Sequence, residues 1–202
     1  PGVPLALVSA MLFGVSAPFS KLLLATIEPL MLASLLYLGA GTGLAAFYFI
    51  SKARGTAERE APLLKADLPW LAAAVAAGGI IAPVLLMFGL SLTDAASGSL
   101  LLNLESLATM GIAWLVFREN VDHRLLMGAF AILAGAVLLT WDGQGLTLNT
   151  GALLIAGACL AWGIDNNLTR KISAADPVII AMIKGLVAGS VNLALALSLG
   201  AA

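Results

Sequence analysis

Residues 29–51 read PLMLASLLYLGAGTGLAAFYFIS, a run of 23 residues without a charged side chain. A helix rises about 1.5 Å per residue, so about 20 apolar residues cross the hydrocarbon core of a bilayer. The run is too long for a strand and lacks alternation of apolar and polar residues. Glu28 before Pro29 places an acid ahead of a proline at the first turn, which is typical of a helix start. The stretch therefore predicts a transmembrane α-helix.

Six further segments of similar length and character lie on either side of this run. The chain is 61% hydrophobic and only 10% charged, whereas soluble domains are about half apolar and a quarter charged. We therefore predict an all-α polytopic membrane protein with about seven transmembrane helices. The predicted spans are residues 3–25, 29–51, 69–92, 95–117, 123–141, 151–170 and 177–199.

Composition also argues against several classes of function. The net charge of −1 gives no indication of a nucleic-acid partner. With one cysteine, Cys159, and one histidine, His123, the chain has too few ligands for a usual zinc site. The serines at 97 and 99 have no evident base within the membrane, because His123 is expected at the cytoplasmic start of the fifth span. We therefore expect no catalytic site, cofactor or metal, and do not expect an enzyme.

The charges in the loops predict the orientation of the chain. The loops after the second, fourth and sixth spans hold eight lysines and arginines, whereas the loops after the first, third and fifth hold none. Because cytoplasmic loops carry the excess of positive charge, the N-terminus is predicted to lie in the cytoplasm. The eight residues are Lys52, Arg54, Arg59, Lys65, Arg118, Arg124, Arg170 and Lys171.

An internal repeat relates the first two spans to the last two at an offset of 148 or 149 residues. An aromatic-glycine pair, a hydroxyl-cation pair, an acid-proline pair and a glycine recur in the same order. Each copy contains five helices, and this odd number predicts that the second copy enters the membrane inverted, as in many secondary transporters. The predicted units are residues 1–145 and 150–202, and we expect the second, truncated here, to continue for about three more helices; the alternative is a natural seven-helix protein. The matched elements are Phe13-Gly14, Ser20-Lys21, Glu28-Pro29 and Gly41 with Trp162-Gly163, Thr169-Arg170, Asp176-Pro177 and Gly189.

Several stretches resemble the EamA-type members of the drug/metabolite transporter superfamily. They are SGSLLLNLE at 97–105, AWL at 113–115, RE at 118–119, LMGA at 126–129, LAG at 133–135 and WGIDNNLTR at 162–170. The resemblance implies ten helices in two inverted five-helix units and a plasma-membrane location, which is the inner membrane in a bacterium. The chain departs from the family at Glu105-Ser106, where many members carry a proline.

Together, the repeat and the resemblance imply a secondary transporter. It would move a small metabolite, amino acid or drug-like solute across the bilayer by alternating access between two rocking units. No nucleotide-binding motif is visible, so an ion gradient, with protons one alternative, or the gradient of the solute would drive transport. The competing hypothesis is a membrane scaffold or sensor that has the same helical bundle and does not transport.

Polar residues within the fourth span are the first candidates for a substrate-binding or coupling site, since a charge at the centre of a membrane helix is costly. Glu105 lies about ten residues into that span, near the midplane, and is either a coupling or binding carboxylate or a buried, protonated structural acid. Asn103 points to nearly the opposite side, and either binds solute or bonds to a neighbouring helix. We expect only one of the two stripes to face the cavity.

The sixth and seventh spans supply the other candidates. Trp162, Asp165 and Asn166 share one helical face, which is too polar to meet lipid. Lys184 lies at a similar depth in the seventh span, so we expect an Asp165–Lys184 ion pair, with either a structural role or one that changes during transport. Lys21, near the end of the first span, is expected to extend to the headgroups.

Glycine and proline spacing predicts features of the packing. The G-x-x-x-G patterns Gly39…Gly43 and Gly185…Gly189 predict close approach of helices within the protein. Pro18 and Pro83 predict kinks in the first and third spans.

Overall fold

A computed structural model of the chain describes residues 2–55, 61–120, 122–139 and 149–201. Over these ranges the chain is largely helical and contains no strand, although Ala61 and Ala175 form an isolated bridge. A 3₁₀ turn (Lys65–Asp67) precedes α3, and a π-helical stretch (Val75–Ile81) joins α3 to α4. The helices are α1 (Gly2–Leu23), α2 (Pro29–Ala53), α3 (Leu68–Ala74), α4 (Ala82–Ser91), α5 (Ala95–Leu101), α6 (Leu104–Leu115), α7 (His123–Leu139), α8 (Thr150–Lys171) and α9 (Pro177–Ser198).

The helices confirm the predicted all-α polytopic membrane protein. Among the described residues, four helical runs are long and apolar enough to cross a membrane: Pro29–Ala53, Lys65–Ser91, Ala95–Leu115 and Pro177–Ser198. Leu7–Leu23 and His123–Gly135 are shorter apolar helices, and the 22-residue α8 has a polar C-terminal half. The predicted end of the fifth span at 141 and Arg59 of the second loop lie outside the described residues.

The third span, predicted as one helix over residues 69–92 with a kink at Pro83, is not α-helical throughout. Its middle is π-helical, and the Ala82 N–H bonds to the carbonyl of Ala77, five residues earlier. Pro83 has no N–H and therefore cannot donate to the carbonyl of Gly78 or Gly79, where a helix would place its acceptor. The predicted kink at Pro83 thus takes the form of a wider turn on its N-terminal side.

Side chains from three other helices bond to these two carbonyls. The Tyr37 hydroxyl donates to the Gly78 carbonyl oxygen at 2.6 Å, and the Trp162 indole N–H donates to the same oxygen at 3.0 Å. The Asn192 amide donates to the Gly79 carbonyl oxygen at 3.2 Å. Because a buried carbonyl without a partner is costly, these bonds stabilise the break and tie it to α2, α8 and α9.

The fourth span is also interrupted, which corrects the prediction of one helix over residues 95–117. Helix α5 ends at Leu101, and the Asn103 and Glu105 amides then bond to carbonyls three residues earlier, those of Leu100 and Leu102. The Asn103 side chain donates to the Leu100 carbonyl at 2.9 Å. Asparagine side chains compete with backbone donors in this manner, so the chain turns here without a proline.

The turn between α4 and α5 is held by side chains from both directions. The Lys21 ammonium donates to the carbonyls of Leu90 at 2.7 Å and Ser91 at 3.2 Å, so this lysine caps the C-terminus of α4. Its predicted extension to the headgroups stays a prediction. On the other side, the Ser97 side chain and amide donate to the Asp94 carboxylate and hold the pKa of Asp94 below its ordinary value.

Helices α2 and α9 pack with their backbones in contact. A Cβ atom on Gly41 would lie 2.5 Å from the Leu186 nitrogen, and one on Gly189 would lie 2.6 Å from the Leu38 nitrogen. Gly185 likewise faces the backbone of Gly41. The predicted close approach is therefore present for Gly185…Gly189.

For the other glycine pattern the prediction is wrong. A Cβ atom on Gly39 or Gly43 would meet nothing within 4 Å. Gly41 is two residues from each of them. At about 100° per residue it therefore lies on nearly the opposite side of α2, and this is the side that faces α9.

The segment that follows α6 contains a left-handed residue, Arg118, with φ of 54°. This conformation lets the Glu119 amide bond back to the Ala113 carbonyl at 3.1 Å and close the end of the helix. A left-handed conformation costs a side-chain-bearing residue about 1–2 kcal/mol, which glycine avoids.

Arg118→Gly is therefore expected to raise the free energy of unfolding by up to about 1 kcal/mol, after subtracting the greater chain entropy of glycine. The thermal midpoint in detergent measures this change. Arg54→Gly is the matched control, because Arg54 ends α2 at an ordinary φ of −83° and its replacement should lower the midpoint. A lower midpoint for Arg118→Gly would show that the arginine side chain makes a stabilising contact there.

Candidate functional site

Glu105 lies where two cavities meet. The α6–α8 cavity, of about 570 Å³, lies between α6, α7 and α8 and is lined by Glu105, Thr109, Ala113, Asn166 and other residues. The α1–α5 cavity, of about 680 Å³, lies between α1 and the α5–α6 turn and includes Phe13, Leu102 and Asn103 in its wall. Glu105 and Ser106 line both cavities, so this turn of α6 forms the wall between them.

A third cavity continues from the α1–α5 cavity. The α1–α4 cavity, of about 500 Å³, lies between α1, α2, α4 and α8, and its wall is largely apolar. Phe13 and Leu102 line both cavities, whereas Tyr37 and Trp162 supply aromatic surface to the α1–α4 cavity alone. Trp162 is the one predicted site residue that lines the α1–α4 cavity, and it lines neither of the other two.

The half-buried Glu105 carboxylate is held from across the helix pair. The Asn166 amide donates to Glu105 Oε1 at 3.0 Å and to Thr109 Oγ1 at 3.1 Å, so one α8 side chain ties together two turns of α6. Asn103 is exposed and lines the α1–α5 cavity together with Glu105. The expectation that only one of the two faces a cavity is wrong, because the turn before α6 rotates Asn103 out of the helix register.

The predicted polar face of α8 is divided between different neighbours. Asn166 points to α6, whereas the Trp162 indole bonds to the Gly78 carbonyl of the third span and Asp165 points to α9. The buried Asn167, which the sequence did not single out, donates to the carbonyls of Thr109 at 3.0 Å and Gly163 at 2.8 Å. Helix α8 therefore contacts α6 through two adjacent amides.

Asp165 and Lys184 form the ion pair expected from the sequence. The Lys184 ammonium lies 2.7 Å from Asp165 Oδ1 and 2.6 Å from Oδ2, and the Thr169 hydroxyl donates to Oδ1 at 3.0 Å. Asp165 is only 4% exposed and lies directly against Gly78, at the π-helical stretch. Neither charged residue lines any of these three cavities, whereas Glu105 and Asn103 both do.

Cationic side chains surround the end of the α6–α8 cavity nearest the α6 terminus. Arg170 pairs with Glu119, and both side chains are partly exposed. The Arg170 guanidinium and the Lys171 ammonium lie over the Phe117 ring, at 5.5 Å and 4.8 Å from its centroid. The α6–α8 cavity thus has the Glu105 carboxyl group and the amides of Asn166 and Asn167 in its wall together with the Arg170–Glu119 ion pair, and the rest of its wall is largely apolar.

The sequence analysis missed three residues whose side chains bond to other helices: Tyr37, Asn167 and Asn192. Tyr37 and Asn192 are polar groups inside otherwise apolar spans, which is a signal for an interhelical bond. Asn167 follows Asn166 directly, and the helical wheel placed it off the polar face, so no sequence signal singled it out.

Comparisons with a family model and with curated proteins both give a match. A sequence model of the EamA-like transporter family matches residues 1–141. A curated protein of Methanothermobacter thermautotrophicus, described as an uncharacterized transporter, is 30% identical over 204 residues, which cover 93% of this chain and 59% of that relative. The chain thus spans less than two thirds of the relative's length. No solved structure gives a significant match.

Proposed function

The chain belongs to the EamA-like transporter family, and from this premise we propose that it is a secondary transporter, not an enzyme. It moves a small metabolite, amino acid or drug-like solute across the bilayer by alternating access. One observation carries the proposal: the Glu105 carboxylate lies on the wall between two cavities of about 570 and 680 Å³. A group in that position contacts solute or protons from either cavity.

The bonds around Glu105 favour a functional carboxylate over a structural acid. Asn166 donates to Oε1, and the side chain is only half-buried, so the carboxyl group is open to both cavities that it lines. An acidic side chain within a membrane span is costly, and such residues commonly face a water-filled cavity and mark a pathway for solute or protons. We infer that Glu105 binds solute or protons, with Asn103, Asn166 and the Trp162 surface as further contacts.

We infer further that residues 1–145 and 150–202 are two inverted units related by a pseudo-two-fold axis between α2 and α9. Gly41 faces Leu186, and Gly189 faces Leu38. An offset of 148 residues converts either contact into the other, which is the reciprocal pattern of a two-fold interface. Alternating access would then be a rocking of the units about this axis, where backbone contact is tightest.

The charge distribution completes the proposal. Lysines and arginines cluster in the loops after even-numbered spans, which favours an N-terminus in the cytoplasm. Membership of the family favours the plasma membrane. The absence of a nucleotide-binding motif from the sequence favours an ion gradient or the solute gradient as the driving force. Glu105 is then the first residue to test for proton coupling.

Glu105→Gln is expected to abolish gradient-driven uptake. Glutamine keeps the size and the acceptor for Asn166 but removes the charge. A hydrogen bond to a charged group contributes about 1.5–3 kcal/mol, so solute affinity should fall roughly tenfold to a hundredfold if the carboxylate binds it. The measurement is uptake of a metabolite panel by proteoliposomes containing the whole protein, with and without a proton gradient.

Glu28→Gln is the matched control, since the Glu28 side chain makes no cap bond at the start of α2 and lines none of the described cavities. Wild-type uptake that Glu105→Gln leaves unchanged would remove Glu105 from the site. No uptake of any solute by a folded, inserted wild-type protein would instead favour the scaffold or sensor.

A further inference from the structure

Lys21 lies beside the α1–α4 cavity, between residues of α1 that line it. Its ammonium bonds to the carbonyls of Leu90 and Ser91 and so joins the last turn of α1 to the end of α4. Ser20 and Leu23, on either side of it, line the cavity. These bonds tie the first and third spans together at the face where both end.

Arg170 makes a corresponding contact at the other face of the membrane. It lies in the last turn of α8 and pairs with Glu119, just beyond the end of α6. Both residues line the α6–α8 cavity. Successive spans run in opposite directions, so the shared end of α6 and α8 lies opposite the shared end of α1 and α4.

The repeat relates the two cations. Ser20-Lys21 and Thr169-Arg170 are matched elements at an offset of 149 residues, and each pair ends the first helix of its unit. Lys21 binds the C-terminal end of α4, where the helix dipole favours positive charge, and Arg170 pairs with a residue that follows α6. The two contacts differ in their acceptors, which are backbone carbonyls for Lys21 and a carboxylate for Arg170.

We propose that Lys21 and Arg170 are paired positioning residues of the transport cycle, which close the cavity mouths at opposite faces. Loss of the Lys21 bonds favours opening where α1 and α4 end, and loss of the Arg170–Glu119 pair favours opening where α6 and α8 end. This inference rests on the proposed alternating access, and it assigns neither residue a direct contact with solute.

Two reporter cysteines test the proposal in membrane vesicles of either orientation, with a membrane-impermeant maleimide. Ser16→Cys reports on the α1–α4 cavity, and Ala113→Cys reports on the α6–α8 cavity. The native Cys159 is 1% exposed, and the parent protein without a reporter supplies the baseline. The whole protein is used in each case.

Lys21→Gln is expected to raise the labelling rate of Ser16→Cys roughly fivefold or more and to lower that of Ala113→Cys, and Arg170→Gln should do the opposite. Lys171→Gln is the matched control, because Lys171 is a neighbouring cation over the same Phe117 ring outside the ion pair; its labelling should equal that of wild type. Lys21→Arg should leave the labelling rate of Ser16→Cys at the wild-type value. Arg170→Glu combined with Glu119→Arg should return the labelling rate of Ala113→Cys to the wild-type value.

Shifts in the same direction, no shifts, or a charge exchange that restores nothing would overturn the proposal. Uptake measured in parallel distinguishes failure of the paired closure from failure of the proposed transport function. Wild-type uptake with unchanged labelling in both variants removes the paired closure and leaves transport intact. Opposite labelling shifts in a protein that takes up no solute support the paired closure and count against transport.

Discussion

Gly41→Ala is expected to separate α2 from α9 and to lower the free energy of unfolding by about 3 kcal/mol, the upper end of the usual cost of overpacking. The added Cβ would lie 2.5 Å from the Leu186 nitrogen and 2.7 Å from the Gly185 carbonyl carbon. These are backbone atoms that no change of rotamer can move. The loss would appear as a lower thermal midpoint, or as aggregation on size exclusion after mild heating.

Gly39→Ala is the matched control on the same helix. A Cβ there meets nothing within 4 Å, and alanine is favoured over glycine in a helix by about 0.5–1 kcal/mol, so this variant should equal or exceed wild type in stability. If Gly41→Ala proved as stable as Gly39→Ala, the close approach of α2 and α9 would be refuted.

The same substitution tests the pseudo-two-fold relation. Gly189→Ala would place its Cβ 2.6 Å from the Leu38 nitrogen, which is the reciprocal contact, so its cost should be similar. Gly41→Ala combined with Gly189→Ala should lower the free energy of unfolding by less than the two single variants added together. Helices already separated by one methyl group leave room for the second. Unequal single costs with additive behaviour would count against the axis between α2 and α9.

Run length, charge and acid-proline starts predicted the ends of three of the long helices. The predicted spans 29–51, 151–170 and 177–199 correspond to α2, α8 and α9 within two residues at each end. Such boundaries depend on local composition and on acid-proline starts, which are readable in one sequence. The all-α polytopic class followed from the same information.

The structure differs from the sequence-based predictions where a helix contacts its neighbours. Pro83 predicted a kink, but which carbonyls it would orphan depends on the π-helical register, and their partners Tyr37, Trp162 and Asn192 are distant in sequence. Likewise, a helical wheel places Asp165 and Asn166 on one face without showing that α9 lies on one side and α6 on the other. Spacing identifies a polar face, and tertiary packing decides what each residue on it binds.

Asp165→Asn or Lys184→Met alone is expected to lower the free energy of unfolding by about 3–5 kcal/mol. Each variant leaves one buried charge without its partner, in a membrane span where no bulk water replaces it. The Asp165 side chain is 6% exposed and that of Lys184 18%. Arg170→Gln provides the comparison: it breaks an ion pair whose side chains are 45% and 41% exposed, and pairs at such positions contribute about 1 kcal/mol or less.

The double variant Asp165→Asn with Lys184→Met is expected to recover most of the stability, because replacing a buried ion pair by neutral groups of similar size is often close to neutral. Asparagine has nearly the size and shape of the aspartate that lies against Gly78. Stability and uptake are measured on the wild type, the two single variants and the double variant. Since the pair lines none of the described cavities, we expect uptake to recover with stability, which assigns the pair to packing. Recovered stability without uptake would instead show that the pair takes part in transport.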